Sequence, residues 1–101
     1  AADPAAGAKI AKEQCAKCHG ETGKGDGEIL QKFKKMGVVV TDPVAWNDRA
    51  GMSEWTDEQL VQIIKEGGKA VGKDKMMPPW GDQLSEAQIA DLVAYIRSLA
   101  K

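Results

Sequence analysis

Cys15-Ala16-Lys17-Cys18-His19 places the chain's two cysteines and its one histidine within five residues. Two thiols separated by two residues, with an imidazole directly after the second, match covalent haem attachment. Each thiol adds across one haem vinyl group, and the histidine is held beneath the iron as an axial ligand. Other chemistries use parts of the same pattern. A disulfide or a thioredoxin-like redox pair needs only the cysteines, but the flanking segments read as helices, without the strand-helix-strand pattern of a redox unit. A structural zinc ion asks for four nitrogen or sulfur ligands. With two Cys and one His, a carboxylate would have to complete that set.

Iron held by one histidine needs an occupant on its other side, and the chain has no second histidine. Methionine sulfur is the alternative for an electron-transfer haem, and it raises the reduction potential. The candidates are Met36, Met52, Met76 and Met77. Met36 falls on a helix stripe and reads as core filling, while Met52 precedes a helix start and has no distinguishing context. Met76 and Met77 lie in Gly72-Lys73-Asp74-Lys75-Met76-Met77-Pro78-Pro79-Trp80-Gly81, between two helices. Two prolines fix the local backbone and remove two amide donors, which makes a stiff loop able to present one side chain at constant geometry. Met77 directly precedes Pro78 and is biased toward an extended backbone. It is the preferred ligand, with Met76 as the alternative.

The elements that must position these residues are helical. Asp3-Pro4 is a helix start, and the first helix is expected over about Pro4 to Gln14, with Ala6, Ile10 and Ala11 facing inward. Gly7 sits inside it, where glycine costs about 1 kcal/mol relative to alanine; close contact with another helix would account for it. After His19, four glycines in the eight residues 20–27 carry neither dinucleotide nor P-loop spacing, and read as turns that bring backbone close to a flat cofactor. Ile29, Leu30, Phe33 and Met36 recur at helical spacing, ending at Gly37. Val38-Val39-Val40 suits an extended segment packed on the haem or a lone edge strand. Asp42-Pro43 signals a short helical piece ending near Gly51. Thr56 with Gln59 and Ser85 with Gln88 form capping boxes. The first leads into Leu60, Val61, Ile63 and Ile64, stopped by Gly67-Gly68; the second leads into a stripe of Ile89, Leu92, Ile96 and Leu99, flanked by Tyr95.

At 101 residues, residues 1–101 read as one domain, small enough that its own apolar core would be marginal without a haem to pack around. Acidic and basic residues number 15 and 14, a formal net charge of −1, which argues against a nucleic-acid binder. No stretch approaches the roughly 18 consecutive apolar residues of a membrane span. Ala1-Ala2-Asp3-Pro4 reads as a mature end left after removal of an export signal.

In these features the sequence resembles the class I c-type cytochromes, small soluble monohaem electron carriers. The likeness runs through Gly7, eight residues before the first cysteine, Cys15-x-x-Cys18-His19-Gly20, the Met77-Pro78-Pro79 loop and Tyr95-Ile96. It implies an all-α cytochrome c fold of about four to five helices around one covalently bound haem c. The N- and C-terminal helices would be packed crosswise, with Gly7 against Tyr95. It implies His19 and Met77 as iron ligands, and a carbonyl accepting from the histidine's other ring nitrogen. Family members often supply that carbonyl from a proline after the glycine-rich turn; here none lies between Pro4 and Pro43, and the acceptor stays open. Trp46, Asn47, Arg49 and Trp55 are candidate donors to haem propionates, since a guanidinium matches a carboxylate in a two-pronged geometry.

The expected function is that of a monomeric periplasmic electron carrier. One iron would cycle between ferric and ferrous, exchanging electrons with protein partners, with Lys17, Lys73 and Lys75 as a docking patch. A dedicated subunit of a periplasmic oxidoreductase would share this chemistry. A haem with a labile methionine acting as peroxidase or gas sensor lacks a second histidine for acid-base work, and the chain is not expected to be an enzyme.

Overall fold

The computed structural model describes residues 2–20, 23–39, 44–73 and 77–100, and among these all regular structure is helical. Helix α1 spans Pro4–Ile10 and runs on through one wide π-helical turn, Ala11–Cys15, into α2, Ala16–His19. The helical path thus passes the expected end at Gln14 and carries the whole attachment motif. Helix α3 covers Glu28–Lys35, α4 Arg49–Ser53, α5 Asp57–Glu66 and α6 Glu86–Leu99, with a single 3-10 turn at Lys69–Val71.

Local signals start these helices as read. Asp3 caps α1, accepting from the Ala5 N–H at 3.0 Å. Both capping boxes close. Thr56 Oγ1 accepts from the Gln59 N–H at 3.1 Å while Gln59 Oε1 accepts from the Thr56 N–H at 2.8 Å. Ser85 and Gln88 repeat the pair at 3.1 and 2.8 Å. Ser85→Ala is therefore expected to cost about 1 kcal/mol, read as a lower denaturation midpoint at unchanged slope, with Ser85→Asp recovering most of it. The short central helix starts later than expected: Asp48 caps it, accepting from the Gly51 N–H at 3.1 Å. Asp42-Pro43 lies outside the described residues, as does Val40.

Helices α1 and α6 cross at Gly7. A Cβ there would lie 2.0 Å from the Asp91 carbonyl oxygen and 2.9 Å from Leu92 Cα, so only glycine admits this approach. The Asp3 N–H donates to Asp91 Oδ1 at 2.7 Å and pins the same crossing. The closest approach is to Asp91 and Leu92, one turn before the expected Tyr95, whose ring instead meets Trp46 edge-on at 6.4 Å. Around the crossing, Ala11, Trp46, Met52, Leu60, Ile64, Leu84, Ile89, Leu92, Val93 and Ile96 form the core, with Met52, Ile89 and Leu92 the most completely enclosed. Helix α3 departs from its expected stripe. Leu30 is buried and Ile29 and Phe33 are half-buried, but Met36 is 66% exposed. Met36 is the C-cap, where the backbone leaves the helix, so its side chain is carried off the packed face. Val39 is 96% exposed, and no strand forms there among the described residues.

Candidate haem site

Cys15, Cys18 and His19 stand at positions i, i+3 and i+4 of one continuous helical path, so their side chains emerge on one face. The wide turn ending at Cys15 is the kind of local helical irregularity that often sits at functional sites. Neither cysteine is in a disulfide; Cys15 is buried and Cys18 half-buried. Burial, and then the neighbouring Cys18, push the Cys15 thiol up to about 11, so it stays protonated near neutrality. Burial pushes His19 down to about 4, so its imidazole is neutral and offers a lone pair. Among the described residues no three His, Cys, Asp or Glu side chains are grouped to hold a metal ion by themselves, so no described carboxylate completes a zinc set.

The glycine-rich segment folds back over this turn. The Gly25 N–H donates to the His19 carbonyl at 2.8 Å and the Gly27 N–H to the Cys18 carbonyl at 3.1 Å. A Cβ on Gly27 would lie 2.3 Å from the Lys17 carbonyl oxygen and 2.5 Å from Cys18 Cα, so the loop lies flat on the attachment turn. From the far side of the loop, the Gly23 carbonyl accepts from the Trp46 N–H at 2.7 Å. This sets the Trp46 indole in a stack on the His19 ring, centroids 4.9 Å apart at 25°. His19 Nδ1 is buried and has no hydrogen-bond partner, an unusual state for an enclosed polar atom. The imidazole is thus fixed by stacking and by its backbone. The carbonyl expected to accept from its ring is not found among the described residues.

Met77 is half-buried and packs on the core that contains Trp46, Leu60 and Ile64. Its loop is laced to the end of α5: the Gly68 N–H donates to the Met77 carbonyl at 3.0 Å, the Trp80 N–H to Ile64 at 2.9 Å and the Gly81 N–H to Lys65 at 3.0 Å. These bonds hold a segment whose two prolines supply no donors of their own. A cleft of about 520 Å³ opens beside it, lined by Glu66, Gly67, Lys69, Ala70, Met77 and Pro79. The structure thus joins Cys15, Cys18 and His19 on one turn, and Met77 packs against the core cluster that includes Cys15. Met52 is core, Met36 is surface, and Met76 lies outside the described residues.

Of the candidate propionate donors, Asn47 and Arg49 are exposed, Trp46 is committed to the His19 stack, and Trp55 is half-buried with Lys73 Nζ 5.5 Å above its ring. Lys17 and Lys73 are exposed, and Lys75 lies outside the described residues. One residue escaped the sequence reading. Arg97 Nε donates to Asp57 Oδ1 at 2.8 Å, Nη1 to the Met52 carbonyl at 2.9 Å, and Nη2 to the Trp55 carbonyl. Its signal was its place four residues after Val93, on the buried face of α6.

These residues suit haem c: two cysteines outside any disulfide and a neutral imidazole on one turn, with a half-buried thioether packed on the neighbouring core. Comparison with known proteins agrees. Residues 2–96 match the family model described as cytochrome c oxidase, cbb3-type, subunit III. The chain is 36% identical over 93 residues to the cbb3-type cytochrome c oxidase subunit FixP of Azorhizobium caulinodans and 34% identical over 97 residues to that of a Bradyrhizobium species. These alignments cover 92% and 96% of the chain but only 26% and 28% of those relatives, so it spans about a quarter of their length. It is 32% identical to cytochrome c6 of a Picosynechococcus species, covering all of the chain and 77% of that protein. Among solved structures, the KustC0563 c-type cytochrome superposes with a TM-score of 0.70 at 25% identity, covering 94% of this chain and 98% of that one. A chain of a Kuenenia stuttgartiensis reducing HAO-like protein complex gives 0.67 at 27% identity, covering 94% of this chain and 41% of that one. The chain belongs to the cbb3-type subunit III family of c-type cytochromes, and is an electron-transfer cytochrome c with the small class I fold.

Proposed function

We propose that residues 1–101 form a single, monomeric cytochrome c domain that carries electrons in the periplasm through one covalently attached haem c, with His19 and Met77 as axial ligands. The observation that supports this most directly is the joining of Cys15, Cys18 and His19 on one turn, with the imidazole half-buried and neutral and its enclosed Nδ1 without a hydrogen-bond partner among the described residues. When bound, the haem supplies a one-electron iron couple. Cys15 and Cys18 would hold it covalently as thioethers. Trp46 keeps the His19 ring in place, and the Met77-Pro78-Pro79 loop would present the thioether from a stiff backbone. The loaded domain would pass single electrons from a reduced protein donor to an oxidised acceptor. His19 is the chain's one histidine, which leaves no imidazole for acid-base work at the iron, and the chain is not an enzyme in this reading.

A second reading, a lasting electron-transfer module within a larger oxidoreductase, is favoured by the two FixP relatives, whose names assign them to a cbb3-type oxidase. No helix among the described residues is long and apolar enough to cross a membrane. The test is the visible and near-infrared spectrum of the oxidised haem-loaded protein, before and after cyanide, and of the reduced protein with carbon monoxide. A weak red charge-transfer band with slow ligand uptake is expected. No such band and rapid ligand binding would mean an open iron, and the carrier reading would give way to a peroxidase or gas sensor.

A further inference from the structure

Arg97 stands on α6, yet its guanidinium makes three hydrogen bonds to the 52–57 segment, 40 to 45 residues earlier in the chain. Two of the acceptors are backbone carbonyls at and just past the end of α4, where helical partners run out. The third is the Asp57 carboxylate in the first turn of α5. A guanidinium is a planar, preorganised fork, and at 30% side-chain exposure this one is partly shielded from competing water. It therefore works as a cross-brace between α6 and the α4–α5 junction.

From that junction the structure continues to the ligand loop in short steps. The Trp55 ring lies under Lys73 Nζ at 5.5 Å. The Lys73 N–H donates to the Gly68 carbonyl at 2.8 Å, and the Gly68 N–H donates to the Met77 carbonyl at 3.0 Å. We propose that Arg97 is a positioning residue for the Met77 loop, holding the Trp55 platform through which Lys73 and Gly68 fix the backbone of the ligand. This rests on the reading of Met77 as an axial ligand. The element with two states is the loop itself, its sulfur bound or displaced, and Arg97 biases it toward bound.

The experiment measures the rate at which added imidazole displaces the methionine from the oxidised haem-loaded protein, followed as loss of the red band, beside a denaturant unfolding curve on the same samples. Arg97→Met is expected to accelerate displacement about tenfold, equivalent to 1.4 kcal/mol. Arg97→Lys is expected to recover part of the loss, since an ammonium keeps the charge but not the fork. Lys73→Ala removes an exposed side chain further along the path, and is expected to accelerate displacement by a smaller factor in the same direction. A brace with a merely structural role would lower the unfolding midpoint and leave the imidazole rate within twofold of wild type; that result overturns the proposal. If Arg97→Met does not fold, a wild-type rate in Lys73→Ala overturns it instead. Retention of the red band in Met77→Ala would be a failure of the ligation reading itself, a different outcome from a Met77-dependent band that is indifferent to Arg97.

Discussion

Replacing Met77 by alanine is expected to abolish the red band of the oxidised haem-loaded protein. It should also lower the reduction potential by about 0.1–0.2 V, a fraction of the roughly 0.8 V over which axial ligands act. A thioether is a neutral, soft donor that favours the ferrous state, and alanine leaves the position to water. Carbon monoxide, slow to bind the wild type, should then bind rapidly. The other described methionines make this a sharp test because the fold has assigned them elsewhere. Met36 is 66% exposed at the end of α3, and Met36→Ala should leave band, potential and stability unchanged. Met52 is 2% exposed, and Met52→Ala should cost about 2–5 kcal/mol through the cavity it leaves while the band persists. If Met77→Ala keeps the band and Met76→Ala loses it, the ligand is one residue earlier and the proline argument has been outweighed.

What the sequence made legible here is what depends on near neighbours. The attachment motif is five consecutive residues; the capping boxes are contacts three residues apart, and both closed as read. What was illegible depends on which element covers which. Periodicity put Met36 on an apolar stripe, but a stripe does not say where the covering element stops, and the chain leaves the helix at that residue. Two Asp residues were available to start the central helix, and Asp48 caps it; capping chemistry alone does not rank them. Gly7 announced a close crossing without its register, which fell at Asp91 rather than Tyr95. The Arg97 brace spans up to 45 residues. A lone arginine in a final helical turn also serves the helix dipole, so its three acceptors could be found only in the folded structure.

Gly7 itself should give a large loss of stability. On helix propensity alone, Gly7→Ala would gain about 1 kcal/mol, so the sign of the measured effect separates local preference from tertiary packing. The added Cβ would stand 2.0 Å from the Asp91 oxygen and 2.5 Å from its carbonyl carbon. Both are backbone atoms that cannot rotate away, so α1 and α6 must part. Parting strains the Asp3–Asp91 bond at 2.7 Å and opens the seam over Leu92 and Ile89, 0% and 2% exposed. Overpacking of this kind costs about 1–3 kcal/mol. Gly7→Ala should therefore be destabilised by about 1–2 kcal/mol, and Gly7→Val, with two more carbons in the gap, by about 3 kcal/mol or more, a large part of the roughly 5–15 kcal/mol that holds a domain together. Asp91→Asn, which keeps the backbone contact and only weakens the side-chain bond, should lose less than either. Because the proposed thioethers at Cys15 and Cys18 would not depend on the crossing, Gly7→Val should still carry its haem, and denaturant unfolding can then be followed by the red band as well as by helicity. A Gly7→Ala protein as stable as wild type would mean that the two helices do not meet at this distance.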